Sequence, residues 1–347
     1  MPKDGAFSSE AFDIRFYTFV LYTSKAIKNS FKNNLCTLTR YRHSYLFSDT
    51  LVSKICYNRL REERGEIMKR NSLVAPVLKW AGGKRQLLKD IKKHIPEKFS
   101  TYYEPFLGGG AVLFELQLSE AVVNDINEEL INVYLVIRDH IEELIEELKK
   151  HERKNSEEYY YEIRELDRDK RKYEQLSNIE KAARIIYLNK TCYNGLFRVN
   201  SQGQFNVSYA RYKNPNIVNE VTLRAVSNYF NKAKITFKCG DFEEAVKGAR
   251  EDSFVYFDPP YDPVSDTSSF TEYNINGFNK EDQLRLKELC DKLNKKGVKF
   301  LLSNSPTDFI LDLYKDYNIT IVQANRTINS KADKKGKVDE VLVKNYE

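Results

Sequence analysis

The feature that most constrains the fold is a regular alternation of short apolar runs with amphipathic stretches from Leu73 onward. Leu286, Leu289, Cys290 and Leu293 keep the spacing of one buried helical stripe. The apolar or β-branched runs predict strands at Thr101–Phe106, Ala121–Asn124, Ile235–Lys238, Phe254–Phe257, Val298–Ser303, Ile319–Val322 and Glu340–Lys344. Strands that alternate with helices predict an α/β fold with a doubly wound, mainly parallel sheet.

Residues 140–230 interrupt this alternation. Ile141, Leu144, Ile145 and Leu148 form a helical stripe, and Ser177 with Glu180 predicts a capping box. A polar, aromatic, Asn- and Gly-rich stretch follows over residues 193–215. We therefore predict a helical insertion domain at 140–230 with a protruding loop or hairpin. The main domain then comprises residues 68–139 and 231–347.

The first 67 residues differ from the rest, since they show no sustained helical or strand period. They end in Arg64-Gly65-Glu66-Ile67 before Met68. Arg-Gly-Glu can be encoded by a purine run that resembles a bacterial ribosome-binding site. We expect residues 1–67 to be upstream sequence translated in error, with Met68 as the natural start. The alternative is an accessory arm that contacts DNA.

Composition excludes some classes of protein and leaves others open. No run approaches the roughly 20 apolar residues of a membrane span, and no signal-peptide order is present, so we expect a cytoplasmic protein. The five cysteines include no CxxC pair, and the four histidines form no ligand motif, so we expect no metal site. The net charge of +6 is compatible with DNA binding but does not demonstrate it.

The sharpest chemical motif is Asp258-Pro259-Pro260-Tyr261, directly after an apolar strand. Two successive prolines remove two backbone donors, which leaves carbonyl oxygens and the Asp258 carboxylate as acceptors. Such a group can accept both N–H bonds of an amino group on a purine, one at Asp258 and one at the Pro259 or Pro260 carbonyl. Tyr261 supplies a flat face for a base rotated out of a duplex. We therefore predict that residues 258–261 are the catalytic set, rather than an ordinary strand-ending turn.

A second motif, Glu104-Pro-Phe106-Leu-Gly108-Gly-Gly110, joins a strand to a helix predicted at Val112–Leu118. Glycines let the backbone approach a cofactor closely, although many nucleotide-binding proteins share this feature. The next predicted strand ends beside Asp125, whose carboxylate can bind both ribose hydroxyls of an adenosyl group. The alternative for Asp125 is an N-cap of the following helix.

A third motif is Lys79-Trp80-Ala-Gly-Gly-Lys84, which holds the only tryptophan of the chain. Lys84 can pair with a ligand carboxylate, and Trp80 can pack against an aliphatic or sulfonium group. A surface turn around a buried tryptophan explains the motif equally well when it is taken alone.

Together and in this order, the motifs resemble the Dam-type (class alpha) N6-adenine DNA methyltransferases. The resemblance covers about residues 76–345 and includes Asp241-Phe242, the pair that faces the cofactor adenine in that family. It implies an S-adenosylmethionine-dependent methyltransferase fold, double-stranded DNA as partner and base flipping. It also implies that the cofactor contacts Trp80, Lys84, Glu104, Phe106, Gly108, Gly110, Asp125, Asp241, Phe242 and Asp258.

The stretch from Tyr193 to Tyr212 is similar to the hairpin with which this family recognises GATC in the major groove. The resemblance implies DNA contacts by Tyr193, Asn194, Leu196, Arg198, Asn206 and Arg211. Arg198 can bind guanine O6 and N7 with two hydrogen bonds. Ser208 and Ala210 depart from the family pattern, so GATC is expected without being established by the sequence.

Other functions remain as alternatives. They are an N4-cytosine methyltransferase, a dinucleotide-dependent oxidoreductase and a non-catalytic DNA-binding module. The second leaves Asp258-Pro259-Pro260-Tyr261 unexplained, and the glycine turn lacks GxGxxG spacing. The sequence also leaves open the oligomeric state and whether a cognate restriction endonuclease acts on the same site.

Overall fold

A computed structural model of the protein describes residues 70–80, 82–264, 278–325 and 337–347. The predicted N-terminal extension, residues 1–67, lies outside these ranges. One mixed sheet organises the described residues, and all seven predicted strands belong to it. They are β1 Tyr102–Glu104, β2 Glu120–Asp125, β3 Lys234–Cys239, β4 Phe254–Phe257, β5 Lys299–Asn304, β6 Asn318–Asn325 and β7 Lys337–Lys344.

The strand order is β3-β2-β1-β4-β5-β7-β6. Strands β1 to β5 are mutually parallel, and β7 runs antiparallel to both β5 and β6. The order reverses between β1 and β4, and ligands of open α/β sheets bind outside the carboxyl ends of the strands at such a switch point. The topology thus places residues 105–110 and 258–261 at one edge of the sheet.

Both faces of the sheet are covered. Along β4, Phe254 and Tyr256 belong to one hydrophobic cluster, whereas Val255 and Phe257 belong to another. Since successive side chains of a strand point to opposite faces, a strand buried on both sides must be apolar throughout, as this one is. The predicted doubly wound α/β fold is therefore confirmed.

Eleven α-helices connect or cover the strands in the described ranges. They are α1 Leu88–His94, α2 Ala111–Leu116, α3 Glu128–Asp139, α4 Ile141–Lys154, α5 Glu157–Glu165, α6 Lys170–Gln175, α7 Asn178–Thr191, α8 Glu220–Lys232, α9 Phe242–Ala245, α10 Lys280–Lys295 and α11 Asp308–Leu313. None of them combines the length and the apolar composition that crossing a bilayer requires.

Most predicted strand boundaries differ from the observed ones by one to three residues, and two differences lie at the glycine motif. Strand β1 ends at Glu104 rather than Phe106, because Pro105 has no N–H for a strand ladder. Helix α2 ends at Leu116 rather than Leu118, because Gln117 takes a left-handed conformation with φ 47°. The earlier end of β1 leaves more of the glycine motif outside regular structure.

Residues 140–230 contain helices α4 to α8 and an irregular stretch. The predicted capping box of Ser177 and Glu180 is present at the start of α7. Antiparallel bridges pair Cys192 with Tyr209 and Val199 with Phe205, so the chain doubles back as a hairpin. Helices α4, α5, α7 and α8 share one hydrophobic cluster with a face of the sheet. The division of the chain into a catalytic and a recognition domain stays a prediction.

Candidate active site

Asp258 lies directly beyond β4, and its nearest cation is Lys84. The Lys84 Nζ is 2.8 Å from Asp258 Oδ1, and only 5% of the Lys84 side chain is exposed. The same ammonium donates a hydrogen bond to the Gly82 carbonyl and lies 4.5 Å from the centroid of the Tyr261 ring. Two sequence-predicted motifs, around Lys84 and around Asp258, therefore meet in one group of contacts.

The Asp258 carboxyl group is paired through one of its oxygens. Its Oδ1 is buried against the Lys84 ammonium at 2.8 Å, whereas 19% of the side chain stays exposed. Burial raises the pKa of Asp258 to about 6, and Lys84 limits that rise. The geometry leaves Asp258 able to accept a proton or a hydrogen bond from a ligand.

Glu104, the last residue of β1, is a second buried carboxyl group. It is 2% exposed and accepts a hydrogen bond of 3.0 Å from the Tyr102 hydroxyl. Burial raises the pKa of Glu104 to about 8, and the charge of Asp258 adds to this effect. The carboxyl-terminal ends of β1 and β4 therefore carry two poorly solvated acidic side chains.

The glycine turn is held by Asp125 from the end of β2. The Asp125 carboxylate accepts the backbone N–H of Gly108 at 2.8 Å and that of Asn127 at 3.0 Å. Gly108 and Gly110 have φ of 48° and 67°, and an added Cβ would lie 3.0 Å from Trp80 Cδ1 and 2.9 Å from Phe114 Cε2 respectively. Both positions thus require glycine. The N-cap of α3 is Asn127 rather than Asp125.

Two neighbours of Asp125, Asn124 and Ile126, were not assigned to the candidate site in the sequence analysis. The Asn124 amide donates to the carbonyls of Pro105 and Gly240, so it ties together the ends of β1 and β3. Ile126 is 62% exposed, which is unusual for an isoleucine beside a pocket. The only sequence signal was their position at the end of a predicted strand.

Phe106 and Phe242 form an aromatic wall. Their ring centroids are 5.4 Å apart, and Phe278 contacts both rings. Asp241 begins α9 by accepting the Glu243 N–H and pairs with Arg285 at 2.9 Å. The predicted Asp241-Phe242 pair therefore lies next to the predicted Phe106, at the ends of β1 and β3.

Trp80 connects this edge to the hairpin of residues 192–209. Its ring stacks on Phe197 with centroids 4.7 Å apart, and its other neighbours include Gly108 and Gly109. Lys79 and Asn189 exchange two hydrogen bonds, from the Lys79 N–H and to the Lys79 carbonyl. The hairpin is thus in contact with the glycine turn.

The residues predicted to contact DNA in this hairpin differ in exposure and in hydrogen-bond partners. Tyr193 is 57% exposed, and Asn194 has φ of 56° with its N–H donating to the Tyr212 hydroxyl. The exposed Arg198 donates through Nε and Nη2 to the Asn206 carbonyl. Leu196 is half-buried.

Arg211 is already paired in the structure. Its guanidinium binds both carboxylate oxygens of Glu157 at 2.9 Å, and 75% of its side chain is exposed. A phosphate would have to replace Glu157 as its partner.

Residues behind the catalytic motif complete the site, and sequence reasoning assigned them no role. The Tyr261 hydroxyl donates to Glu340 of β7 at 2.6 Å. Gln283 of α10 donates to the Pro260 carbonyl at 3.0 Å, and Asn304 at the end of β5 accepts from the Asp262 N–H. Chain positions this far apart carry no local pattern that would reveal these contacts.

Comparison with known proteins identifies the chemistry. Residues 80–328 match the family described as D12 class N6 adenine-specific DNA methyltransferase. The chain is 49% identical over 281 residues to the type II methyltransferase M1.LlaDCHI of Lactococcus lactis subsp. cremoris, covering 81% of this chain and 99% of that protein. It is 45% identical over 291 residues to the type II methyltransferase M.MjaIII of Methanocaldococcus jannaschii, covering 79% and 99%.

A third relative is a DNA adenine methylase. The DNA adenine methylase of Vibrio cholerae is 35% identical over 270 residues, covering 76% of this chain and 94% of that protein. The match therefore spans the elements that hold all the motifs described above.

Proposed function

Because this chain belongs to the D12 class of N6 adenine-specific DNA methyltransferases, we propose that S-adenosylmethionine is its methyl donor and that the Asp258 pocket performs the transfer. Family membership confirms the predicted adenine-specific DNA methyltransferase. It favours this activity over N4-cytosine methylation, hydride transfer and non-catalytic DNA binding. The donor, the site residues and the target sequence are proposals argued from the geometry.

The carboxyl-terminal edge of the sheet suits a methyl donor that carries a positive charge. It carries the carboxyl groups of Asp125 and Asp258 with Lys84 as the ammonium in contact, and a bound cation would also favour the ionised form of Glu104. The Asp258 side chain is 19% exposed beside its ion pair with Lys84, so its carboxylate can also accept a hydrogen bond from a ligand. When bound, S-adenosylmethionine supplies an electrophilic methyl group on a sulfonium.

The adenosyl end would lie along the ends of β1 to β3. Asp125 is placed to accept from ribose hydroxyls with the lone pairs that Gly108 and Asn127 do not use. The exposed Ile126 and the ring of Phe242 supply apolar surface for the adenine. Trp80 and Lys84 would hold the aminoacyl end, where the ammonium of Lys84 can pair with a carboxylate.

The target amino group would be held by Asp258 and one carbonyl. The Pro260 carbonyl already accepts from Gln283, which favours the Pro259 carbonyl as the second acceptor. Accepting both N–H bonds localises the nitrogen lone pair for attack on the methyl carbon. A nitrogen that gains a methyl group would lose one N–H proton to a base of the protein. Asp258, with its pKa raised to about 6, is the nearest base.

The hairpin would recognise the DNA. The Asn206 carbonyl holds Nε and Nη2 of Arg198, which leaves Nη1 free in the described contacts to point toward a guanine. Tyr193 has the exposure needed to fill the gap left by a flipped base. We propose GATC as the target, in double-stranded DNA, on the basis of the hairpin residues.

The type II methyltransferase relatives support a cognate restriction endonuclease with the same target as a partner. DNA as substrate supports the cytoplasmic location predicted from the sequence.

The observation that carries this proposal is the Lys84–Asp258–Tyr261 contact group at the switch point of the sheet. We expect Asp258→Ala to lower the single-turnover rate at least about 100-fold while binding of S-adenosylmethionine stays within a few fold. Asp252→Ala, at the exposed opposite end of β4, is the matched control and should keep full activity. Near-normal turnover of Asp258→Ala would refute the assignment.

A further inference from the structure

The backbone of the catalytic motif is held by two buried amide side chains. Gln283 of α10 is 1% exposed, and Asn304 at the end of β5 is fully buried. The Gln283 Nε2 donates to the Pro260 carbonyl at 3.0 Å, and its Oε1 accepts from Asn304 Nδ2 at 3.1 Å. The Asn304 Oδ1 accepts the backbone N–H of Asp262 at 3.0 Å and that of Ser305 at 2.8 Å.

These bonds lie on both sides of the catalytic tyrosine. One fixes the carbonyl before Tyr261, and the other fixes the N–H after it. The ring itself is fixed separately, through the hydroxyl bond to Glu340. Tyr261 is therefore oriented from its backbone on both sides and from its hydroxyl.

The motif needs this support because it cannot supply its own. Pro259 and Pro260 have no N–H, so this turn cannot be closed by their backbone donors. Burying two amides is unfavourable unless their polar groups are paired, and here each amide both donates and accepts. An apolar pair of the same size would fill the space but would leave the Pro260 carbonyl and the Asp262 N–H unpaired.

We propose that Gln283 and Asn304 are positioning residues for methyl transfer. They orient Tyr261 and, by occupying the Pro260 carbonyl, leave the Pro259 carbonyl to accept from the substrate amino group. This inference rests on the proposed function of the Asp258 pocket. Neither residue touches the reacting atoms in this account, and both act through the backbone of residues 260–262.

Two substitutions at Gln283 separate positioning from folding. Gln283→Met removes both hydrogen bonds without adding a charge. Gln283→Glu keeps an acceptor for Asn304 but, when ionised, cannot donate to Pro260. The matched control is Asn345→Ala, because Asn345 joins α10 to β5 at the opposite end of the same elements, through Asn294, Val298 and Phe300.

The measurements are the single-turnover rate at saturating substrates, the KM for DNA and the affinity for S-adenosylmethionine from Trp80 fluorescence. We expect both Gln283 variants to lose about 10- to 100-fold in rate, with KM and cofactor affinity within about threefold of wild type. Asn345→Ala should keep the wild-type rate even if its melting temperature falls as far as those of the Gln283 variants. A rate within twofold of wild type in both Gln283 variants would overturn the inference. An equal rate loss in Asn345→Ala would also overturn it.

Hydrogen exchange tests the same inference with a measurement that does not depend on catalytic activity. Asn304→Ala should speed exchange at the Asp262 amide at least about tenfold relative to Asn345→Ala, since only the former removes its acceptor. Unchanged exchange at Asp262 would contradict the positioning role. A wild-type protein that transfers no methyl group would instead contradict the proposed function and leave this exchange test valid.

Discussion

Asp258 and Glu104 occupy neighbouring strand ends, and burial raises the pKa of both carboxyl groups. They reach different values because only Asp258 has an ammonium in contact. Its pKa is raised to about 6, whereas that of Glu104 is raised to about 8. At neutral pH the first is mainly ionised and the second mainly protonated, so the two groups can serve different purposes.

The rate of methyl transfer should depend on the ionised form of Asp258. We expect the rate at saturating substrates to fall as the pH drops through about 6, because a protonated Asp258 cannot accept the substrate N–H in the same way. In Lys84→Met the opposite charge is lost, so the midpoint should move up by about one unit. Single-turnover rates from pH 5 to 9 test this. An unchanged midpoint in Lys84→Met would show that a group other than Asp258 causes the fall in rate at low pH.

Cofactor binding should release a proton from Glu104. A cation bound beside a carboxyl group with a pKa of about 8 favours its ionised form and so lowers that pKa. Calorimetry of S-adenosylmethionine binding at pH 7 in buffers of different ionisation enthalpy measures the release. Glu104→Gln should release fewer protons on binding S-adenosylmethionine than the wild-type protein does. Identical proton release in wild type and variant would exclude Glu104 as the source.

At the scale of the elements, the hairpin depends on a buried ion pair. Asp167 accepts the Phe205 N–H at 2.7 Å and pairs at 2.7 Å with Arg184, which is 1% exposed. Arg168 donates to the Phe205 carbonyl at 2.7 Å. The segment of the hairpin that carries Asn206 is therefore held at both backbone groups of Phe205, by Asp167 and Arg168.

Asp167→Ala should weaken specific DNA binding and lower the free energy of unfolding by about 3 kcal/mol, because Arg184 would stay buried without its main partner. Urea denaturation and DNA titration measure the two effects. Asp169→Ala, which removes the N-cap of α6 and an exposed ion pair with Lys172, should lower the unfolding free energy by about 1 kcal/mol with unchanged DNA affinity. Full DNA affinity in Asp167→Ala would contradict the docking role.

The strands, and the position of Asp258-Pro259-Pro260-Tyr261 directly after β4, could be predicted because their signals are local. Phe254–Phe257 is apolar at every position and was found with the predicted bounds. The contacts of Gln283, Asn304 and Glu340 could not be predicted, since they depend on which strands become neighbours. The pairing of β7 between β5 and β6 decides where Glu340 lies, and no local pattern contains that order.

For the whole molecule, one continuous set of contacts joins the glycine turn to the hairpin. It runs from Gly108 and Trp80 to Phe197, one residue before Arg198. With the roles proposed above, target choice and chemistry belong to adjoining parts of the described chain. A change in the hairpin should alter which adenines are modified before it alters the chemical step.

Arg198→Ala should relax discrimination at one base pair of the target, by about 1–3 kcal/mol. Mapping of N6-methyladenine on plasmid DNA modified by the variant and by wild type measures this loss. Lys213→Ala, at an exposed position of the same segment, is the control and should leave the target unchanged. Uniform weakening on every sequence in Arg198→Ala would instead indicate a phosphate contact.

The central claim is that the acceptor groups of residues 258–260 hold an extruded adenine for methylation. Its most direct test is transfer of tritium from methyl-labelled S-adenosylmethionine to duplex DNA, followed by nucleoside analysis. We expect label in N6-methyladenine with the wild-type protein and none above background with Asp258→Ala. Label in N4-methylcytosine, or no label with a wild-type protein that binds DNA, would contradict the account.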